Sequence, residues 1–238
     1  MARFFRSWPN LSILKNLGIA MSENGGVEFV REIEVNCCNQ ELKFSQRYVG
    51  DVGCVVWDAG IVLGKYLDLM QKTNNFLNGK LVIDIGSGTG VAGLFAAALG
   101  ANAILTDLPE LLPLLEKNIA INEAVLKGSA SAAVLVWGEN ERKFPTPDII
   151  LVSDCIYYDM SVEKLVPTLV ELSGPDTEIF ISYEDRIIGN KQELLKFFLR
   201  ALQESFEIVI IPSANHHPEF QSSDIHLLKC KKKNMDPS

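Results

Sequence analysis

From Lys80 onward the chain alternates strand-sized apolar runs with stretches of helical period, and this alternation restricts its fold more than any other feature. The apolar runs are "KLVIDI", "NAILTD", "AAVLVW", "DIILVS" and "EIFISY", and the helical patterns fall at 91–99, 109–123, 161–172 and 190–204. Strand and helix in turn predict βαβ units, hence a parallel sheet with helices on both faces. The strands read apolar throughout, as strands do when both faces of their sheet are covered. Two further runs, "FEIVIIP" and "DIHLLKC", are separated by a loop over 212–223 without a helix, which predicts an antiparallel pair at one sheet edge. The expected fold is α/β: a Rossmann-like, doubly wound, mostly parallel seven-stranded sheet ending in an antiparallel edge pair.

Ahead of this core, "VEFVREIEVN" alternates in character and is followed by "ELKFSQ". That predicts an N-terminal hairpin over 27–46, turning around Cys37–Gln40 and covering one edge of the main domain. Val56 to Met70 carries apolar residues at helical spacing and leads through "QKTNNFLNG" into the first core strand. With 238 residues, 47% of them hydrophobic, the chain can bury one sizeable core, so 23–238 is expected to be a single domain with its core over 56–233. The first 20 residues contain Arg3, Arg6 and Lys15 and no acid, the composition of an organelle transit peptide, though Pro9 interrupts any long amphipathic helix. The plainer expectation is a disordered extension over 1–22, with Met21 as a second possible start. "KCKKK" near the C-terminus is expected to be a solvated tail.

A net charge of −8 and a pI of about 5.0 argue against nonspecific polyanion binding, which needs clustered Lys and Arg, so no nucleic-acid partner is expected. Cationic protein partners fit better. The apolar runs break well before the roughly 20 residues of a membrane span. Five cysteines, with no C-x-x-C pair and no ladder of spacings for disulfides or zinc, predict a reducing compartment, the cytoplasm, and no metal site.

The stretch "VIDIGSGTGVAGL", Val82 to Leu94, opens two cofactor readings. As Gly88-x-Gly90-x-x-Gly93 it fits a dinucleotide fingerprint, with Asp107 about where a ribose-binding acid belongs. As Asp84-x-Gly86-x-Gly88-x-Gly90 it is a loop for S-adenosylmethionine. Ligands of such sheets bind outside the carboxyl ends of the strands, and Asp84, Asp107 and Asp154 all fall at such ends. A crevice lined this way repels a pyrophosphate and attracts a sulfonium and an ammonium, so charge favours the methyl donor. Glycines 86, 88 and 90 allow close backbone approach, while Ser87 and Thr89 supply hydroxyls. Asp107 is placed to take the ribose hydroxyls, or, alternatively, to cap a helix ahead of "PELLPLLEKN" with Pro109 near its start.

The order "VVWDAGIVL", "IDIGSGTGVAGL", "TDLPELLPLLEKNIAIN", "VLVWG" and "DIILVSDCIYY" resembles the seven-strand class I methyltransferases, within them the group that methylates lysines on chaperones and ATPases. The words "VGCVVWDA" and "SDCIYY" are most similar to the members acting on the valosin-containing ATPase. The resemblance covers roughly 27–233 and implies cofactor contacts at Trp57, Gly86, Ser87, Gly88, Asp107, Trp137 and Ser153. Physically, Trp137 could lie against an adenine face and Trp57 could cover the methionine end; core packing is the plain alternative for each.

Methyl transfer to nitrogen needs a neutral amine, and a lysine with a pKa near 10.4 must be desolvated and lose a proton. Asp154 is the expected acceptor that orients this nitrogen, with Tyr157 able to hydrogen-bond it; turn capping and packing are the alternatives. There is no Asn-Pro-Pro-aromatic stretch, which weighs against a nucleobase target, since Ser153-Asp154-Cys155-Ile156 stands in that place. Glu184 or Arg186 in "SYEDR" could contact the substrate backbone, and 187–191 and 212–223 are the expected substrate-choosing rim loops. Cys155 lacks a local histidine partner, so a covalent thiol mechanism is not expected. The leading expectation is a monomeric protein-lysine N-methyltransferase acting on a hexameric ATPase or chaperone. A nicotinamide-dependent oxidoreductase and a methyltransferase-like binding module without turnover are the alternatives.

Overall fold

The computed structural model describes residues 28–47, 50–139, 143–187 and 189–233; the expected extension over 1–22 lies outside them. The core runs β3 (Leu81–Ile85), α2 (Val91–Ala98), β4 (Asn102–Asp107), α3 (Leu112–Asn122), β5 (Ser129–Val134), β6 (Ile149–Ser153), α4 (Asp159–Leu172), β7 (Glu178–Glu184), α5 (Lys191–Ser205), β8 (Phe206–Ile211) and β9 (Ile225–Lys232). It is preceded by β1 (Glu28–Val35), β2 (Gln40–Arg47) and α1 (Asp58–Asn74). The seven-stranded sheet has the order β5-β4-β3-β6-β7-β9-β8. Its first five strands are parallel, and β9 runs antiparallel between β7 and β8.

Burial on both faces explains the continuously apolar strands. Along β3, Val82 joins one apolar cluster with Leu63, Leu67, Phe95 and Leu115 of α1, α2 and α3. Ile83 and Ile85 join the other, with Leu165, Leu169, Phe198 and Leu202 of α4 and α5. Helices α1 and α2 cross closely because Gly64 lacks a side chain: a Cβ there would lie 2.6 Å from Phe95 Cδ2. Strand order reverses between β3 and β6, the switch point where such sheets hold ligands.

The hairpin β1–β2 forms as expected, in register from Glu28↔Arg47 to Val35↔Gln40, but it does not cover a sheet edge. It lies on the helices, with Ile33, Val35, Leu42 and Phe44 buried against the α1–α2 cluster. Its outer edge is satisfied by side chains. Asn122 accepts from Lys43 N (2.8 Å) and donates to Lys43 O (2.8 Å), and Asn118 accepts from Ser45 N (2.7 Å) and donates to Ser45 O (3.1 Å). Two asparagines one helical turn apart thus replace a neighbouring strand. At the hairpin tip, Asp68 of α1 accepts from Asn36 N and Cys37 N, while the buried Lys65 ammonium donates to Glu34 O and Asn36 Oδ1.

Three boundaries differ from expectation. The third core strand is Ser129–Val134, not 132–137: it is an edge strand of small residues, "SASAAV", without the apolar bulk that marks a strand in sequence. Helix α3 starts at Leu112 with Pro113 in its first turn, so Pro109 lies outside it. "KCKKK" is no tail, because all but its last residue belongs to β9, where Lys229 pairs with Glu178 (2.6 Å) and Lys232 donates to Val170 O (2.9 Å).

Candidate active site

The turn after β3 is built for close approach. Gly86, Gly88 and Gly90 have φ of 62, 54 and 87°, the left-handed region that disfavours side chains. A Cβ on Gly88 would lie 2.9 Å from the Gly53 carbonyl oxygen, and one on Gly86 would lie 2.8 Å from Cys155 Sγ and 3.0 Å from Trp137 Cζ2. Ser87 locks the turn from inside: its hydroxyl donates to Asp84 O (2.9 Å) and accepts from Thr106 N (3.1 Å). That hydroxyl is committed to the loop, contrary to the expectation that it faces a ligand.

A cleft of about 350 Å3 opens in front of this loop at the carboxyl ends of β3, β4 and β6. It brings together Trp57, Gly86, Ser87, Gly88, Asp107, Trp137, Ser153, Asp154 and Tyr157. Asp84 is the expected site residue that does not line it. Its carboxylate is fully buried behind the loop, where Oδ2 accepts from Gly93 N at 2.9 Å and Oδ1 has no partner among the described residues. Burial pushes this carboxyl up to about 7, against the Gly93 N–H that favours the charged form. Asp84 therefore ties α2 to β3, and the acids that do line the cleft are Asp51, Asp107 and Asp154, beside the cations Lys164 and Arg186.

Asp107 is not a helix cap. It accepts from Gly88 N (2.6 Å) and Leu108 N (2.7 Å), and burial raises its pKa from the ordinary value. Two of its roughly four lone-pair sites are used, which leaves acceptors for a vicinal diol. Trp57 directly precedes α1, and its indole N–H donates to Val52 O (2.8 Å), pinning the segment that carries Gly53 against the loop. The donor set fits S-adenosylmethionine: a glycine turn packed too tightly for any Cβ, which leaves its backbone facing the cleft, a carboxylate for the ribose, two tryptophans, and acids at Asp51 and Asp107 for a sulfonium and an ammonium.

Asp154 directly follows β6 in a left-handed conformation, φ 56°, unusual for a residue with a side chain and the kind of backbone that collects at functional sites. Its carboxylate is 6% exposed and bonded twice by Arg186, Nη1 to Oδ1 at 3.0 Å and Nη2 to Oδ2 at 2.6 Å. The same Nη2 reaches Glu184 Oε2 at 2.8 Å, and the guanidinium lies 5.2 Å from the Trp57 ring. Sequence reading placed Arg186 on this rim but not against Asp154; a separation of 32 positions leaves no local signal. Tyr157 packs edge-on to Tyr158 at 4.7 Å, and burial drives its hydroxyl far above the ordinary value, so it stays a proton donor. The Cys155 thiol is buried against Ile85 O, and burial holds it well above the usual range, which removes it as a nucleophile. No cluster of three metal-ligating side chains occurs among the described residues. The loop 212–223 is not part of the rim: Phe220 sits 4.5 Å from Lys65 Nζ, against the middle of α1.

A seven-stranded sheet of this order, with a glycine turn and a ribose-type carboxylate at its switch point, defines a class I S-adenosylmethionine-dependent methyltransferase. Solved structures share the fold. The T. thermophilus 16S rRNA N2 G1207 methyltransferase, in complex with AdoMet and guanosine, superposes with a TM-score of 0.56 over 87% of this chain and 51% of its own, at 16% identity. An O-methyltransferase family protein from Burkholderia thailandensis gives 0.54 over 71% and 56%, at 13% identity.

Residues 36–205 match the lysine methyltransferase family model, and the chain belongs to that family. Among curated relatives, protein N-lysine methyltransferase METTL21A of Danio rerio is 34% identical over 84% of this chain and 87% of its own length. EEF1A lysine methyltransferase 3 of Xenopus tropicalis is 33% identical over 75% and 78%. The protein is an S-adenosylmethionine-dependent protein-lysine N-methyltransferase. The glycine spacing shared with dinucleotide enzymes reflects packing: a Cβ on Gly93 would lie 2.6 Å from Leu105 Cγ and 2.9 Å from Asp84 Oδ2.

Proposed function

We propose that this methyltransferase modifies a lysine on a folded protein partner, a chaperone or a hexameric ATPase of the valosin-containing type, with Asp154 holding the incoming nitrogen and Tyr157 assisting. The observation that carries the reading is the Asp154 carboxylate, nearly buried, set by a left-handed backbone at the end of β6, and lining the same cleft as the glycine turn. When bound there, the cofactor supplies an activated methyl group on a sulfonium. The chain's own residues do the rest. Gly86, Gly88 and Asp107 hold the nucleoside end, Trp137 and Ser153 flank it, and Trp57 shields the cleft from water. Desolvation beside Trp57 and Tyr157 lowers the pKa of a lysine and favours its neutral, nucleophilic form. The carboxylate of Asp154 orients the nitrogen first and receives a proton only secondarily.

The net charge of −8 supports a cationic partner, and the odd number of cysteines without C-x-x-C spacing supports a cytoplasmic, reducing setting. The chain is proposed to act as a monomer. A second substrate reading, the EEF1A named for one relative, rests on that relative's name. Incubation with labelled S-adenosylmethionine and either a lysate, recombinant valosin-containing ATPase or EEF1A, followed by mass spectrometry, decides among them. The expected result is a methylated lysine on the ATPase. Label on EEF1A alone would transfer the assignment to it, and cofactor binding without any labelled protein would favour a binding module.

A further inference from the structure

Asp154 is offered above as the anchor for a substrate cation, yet its carboxylate already has a cation in place. We propose that Arg186 is a placeholder: its guanidinium occupies the cation position of Asp154, and a substrate ammonium gains that position only by displacing it onto Glu184. The inference rests on the proposed role of Asp154 and adds to it a residue that sets specificity.

A carboxylate 6% exposed is costly to leave unpaired, and a bidentate guanidinium is the partner that best matches its geometry. Arg186 holds a second carboxylate at the same time, Glu184 at 2.8 Å, so releasing Asp154 does not strand the charge. The segment that carries it has left β7 and is irregular. Its neighbour Ile187 is 78% exposed, and Gly189 has φ 66° with nothing within 4 Å of where a Cβ would be. The backbone beyond Arg186 is thus little packed, and the side chain is held chiefly by its two carboxylates and the face of Trp57. The Trp57 ring, 5.2 Å from the guanidinium, offers its face equally to an alkylammonium.

The consequence is discrimination. An ammonium makes single hydrogen bonds to a carboxylate and cannot reproduce the paired contact of arginine. A free amine has no other contact with which to compensate. A lysine presented by a protein does, because contacts around the rim supply the binding free energy that the exchange requires. Arg186 thus suppresses methylation of small amines while permitting that of a docked protein.

The test compares the full chain with Arg186→Gln and Arg186→Lys, using Nα-acetyl-lysine methylamide as a small acceptor and calorimetric titration with n-butylammonium and S-adenosylhomocysteine. Arg186→Gln is expected to lower the KM for the small acceptor and tighten n-butylammonium binding roughly tenfold or more, the scale of a charge-assisted contact, with S-adenosylhomocysteine affinity unchanged. Arg186→Lys, which keeps the charge and so protects the fold, is expected to show a smaller gain of the same sign. A loss of kcat with no gain in KM or in n-butylammonium affinity would make Arg186 a positioning residue for Asp154 and overturn the proposal. Asp154→Asn separates the two readings. If it abolishes turnover while Arg186 variants show no gain, Asp154 keeps its role and the placeholder falls. If it leaves turnover intact, the role of Asp154 falls and the placeholder with it.

Discussion

At the scale of single residues, the cleft divides its acids by environment. Asp107 keeps lone pairs free beyond its bonds to Gly88 N and Leu108 N. Asp107→Ala should weaken S-adenosylhomocysteine binding by about 1.5–3 kcal/mol, the range for hydrogen bonds to a charged group, in a calorimetric titration of folded protein. Asp154→Asn keeps the size and one acceptor but loses the charge. Turnover should fall roughly 10²-fold or more, while cofactor affinity changes little. The reverse pattern would move Asp154 to the cofactor side of the cleft. Sequence alone made these two acids legible because each ends a strand of a sheet whose ligands sit at strand ends. The same rule failed for Asp84, one residue before the end of β3, because strand side chains alternate direction and its carboxylate faces the start of α2 rather than the cleft. The pairing of Asp154 with Arg186 was hidden for a different reason: the two meet only once β6 and β7 lie side by side.

At the scale of elements, helices and strands were legible wherever apolar bulk repeats, and β5 was misplaced because alanine and serine carry no such signal. The docking of the hairpin was not legible at all. Nothing in the helical pattern over 109–123 singles out Asn118 and Asn122, yet they are buried partners of β2. Replacing either with Ala leaves backbone donors and acceptors of β2 unpaired and should destabilise the protein by about 1–3 kcal/mol in chemical denaturation. Amide exchange should accelerate at Lys43 and Ser45 before it does in β3; uniform acceleration would instead mean that the hairpin unfolds only with the core. Gly93 tests the α2–β4 contact. With a Cβ 2.6 Å from Leu105 Cγ, Gly93→Ala should cost roughly 1–3 kcal/mol by overpacking, measurable as a lowered denaturation midpoint.

At the scale of the molecule, the buried Asp84 makes folding depend on pH in a stated direction. Its carboxyl titrates at about 7 in the folded chain and near 3.8 unfolded. Below about pH 4 both states hold the proton and no difference arises. Between about 4 and 7 the folded state keeps a proton that the unfolded state has released, so this group destabilises the fold progressively as pH rises, and its full cost is present above 7. Asp84→Asn removes the titration. The stability of the variant relative to wild type should therefore rise between pH 4.5 and 7.5, by an amount on the order of a few kcal/mol. A constant difference across that range would show that Asp84 ionises in the folded chain as it does in the unfolded one.

The amide of Asn118 has a wider reach than docking. Its nitrogen donates to Ser45 O in the hairpin (3.1 Å) and to Thr89 O in the glycine turn (2.9 Å), so one side chain answers to two elements that never meet in sequence. A partner that bound β1–β2 and shifted this amide would change the affinity of the turn for its nucleoside, and by thermodynamic reciprocity the nucleoside would change that partner's affinity by the same factor. The hairpin, although outside the sheet, is thereby joined to the cofactor turn through a single side chain.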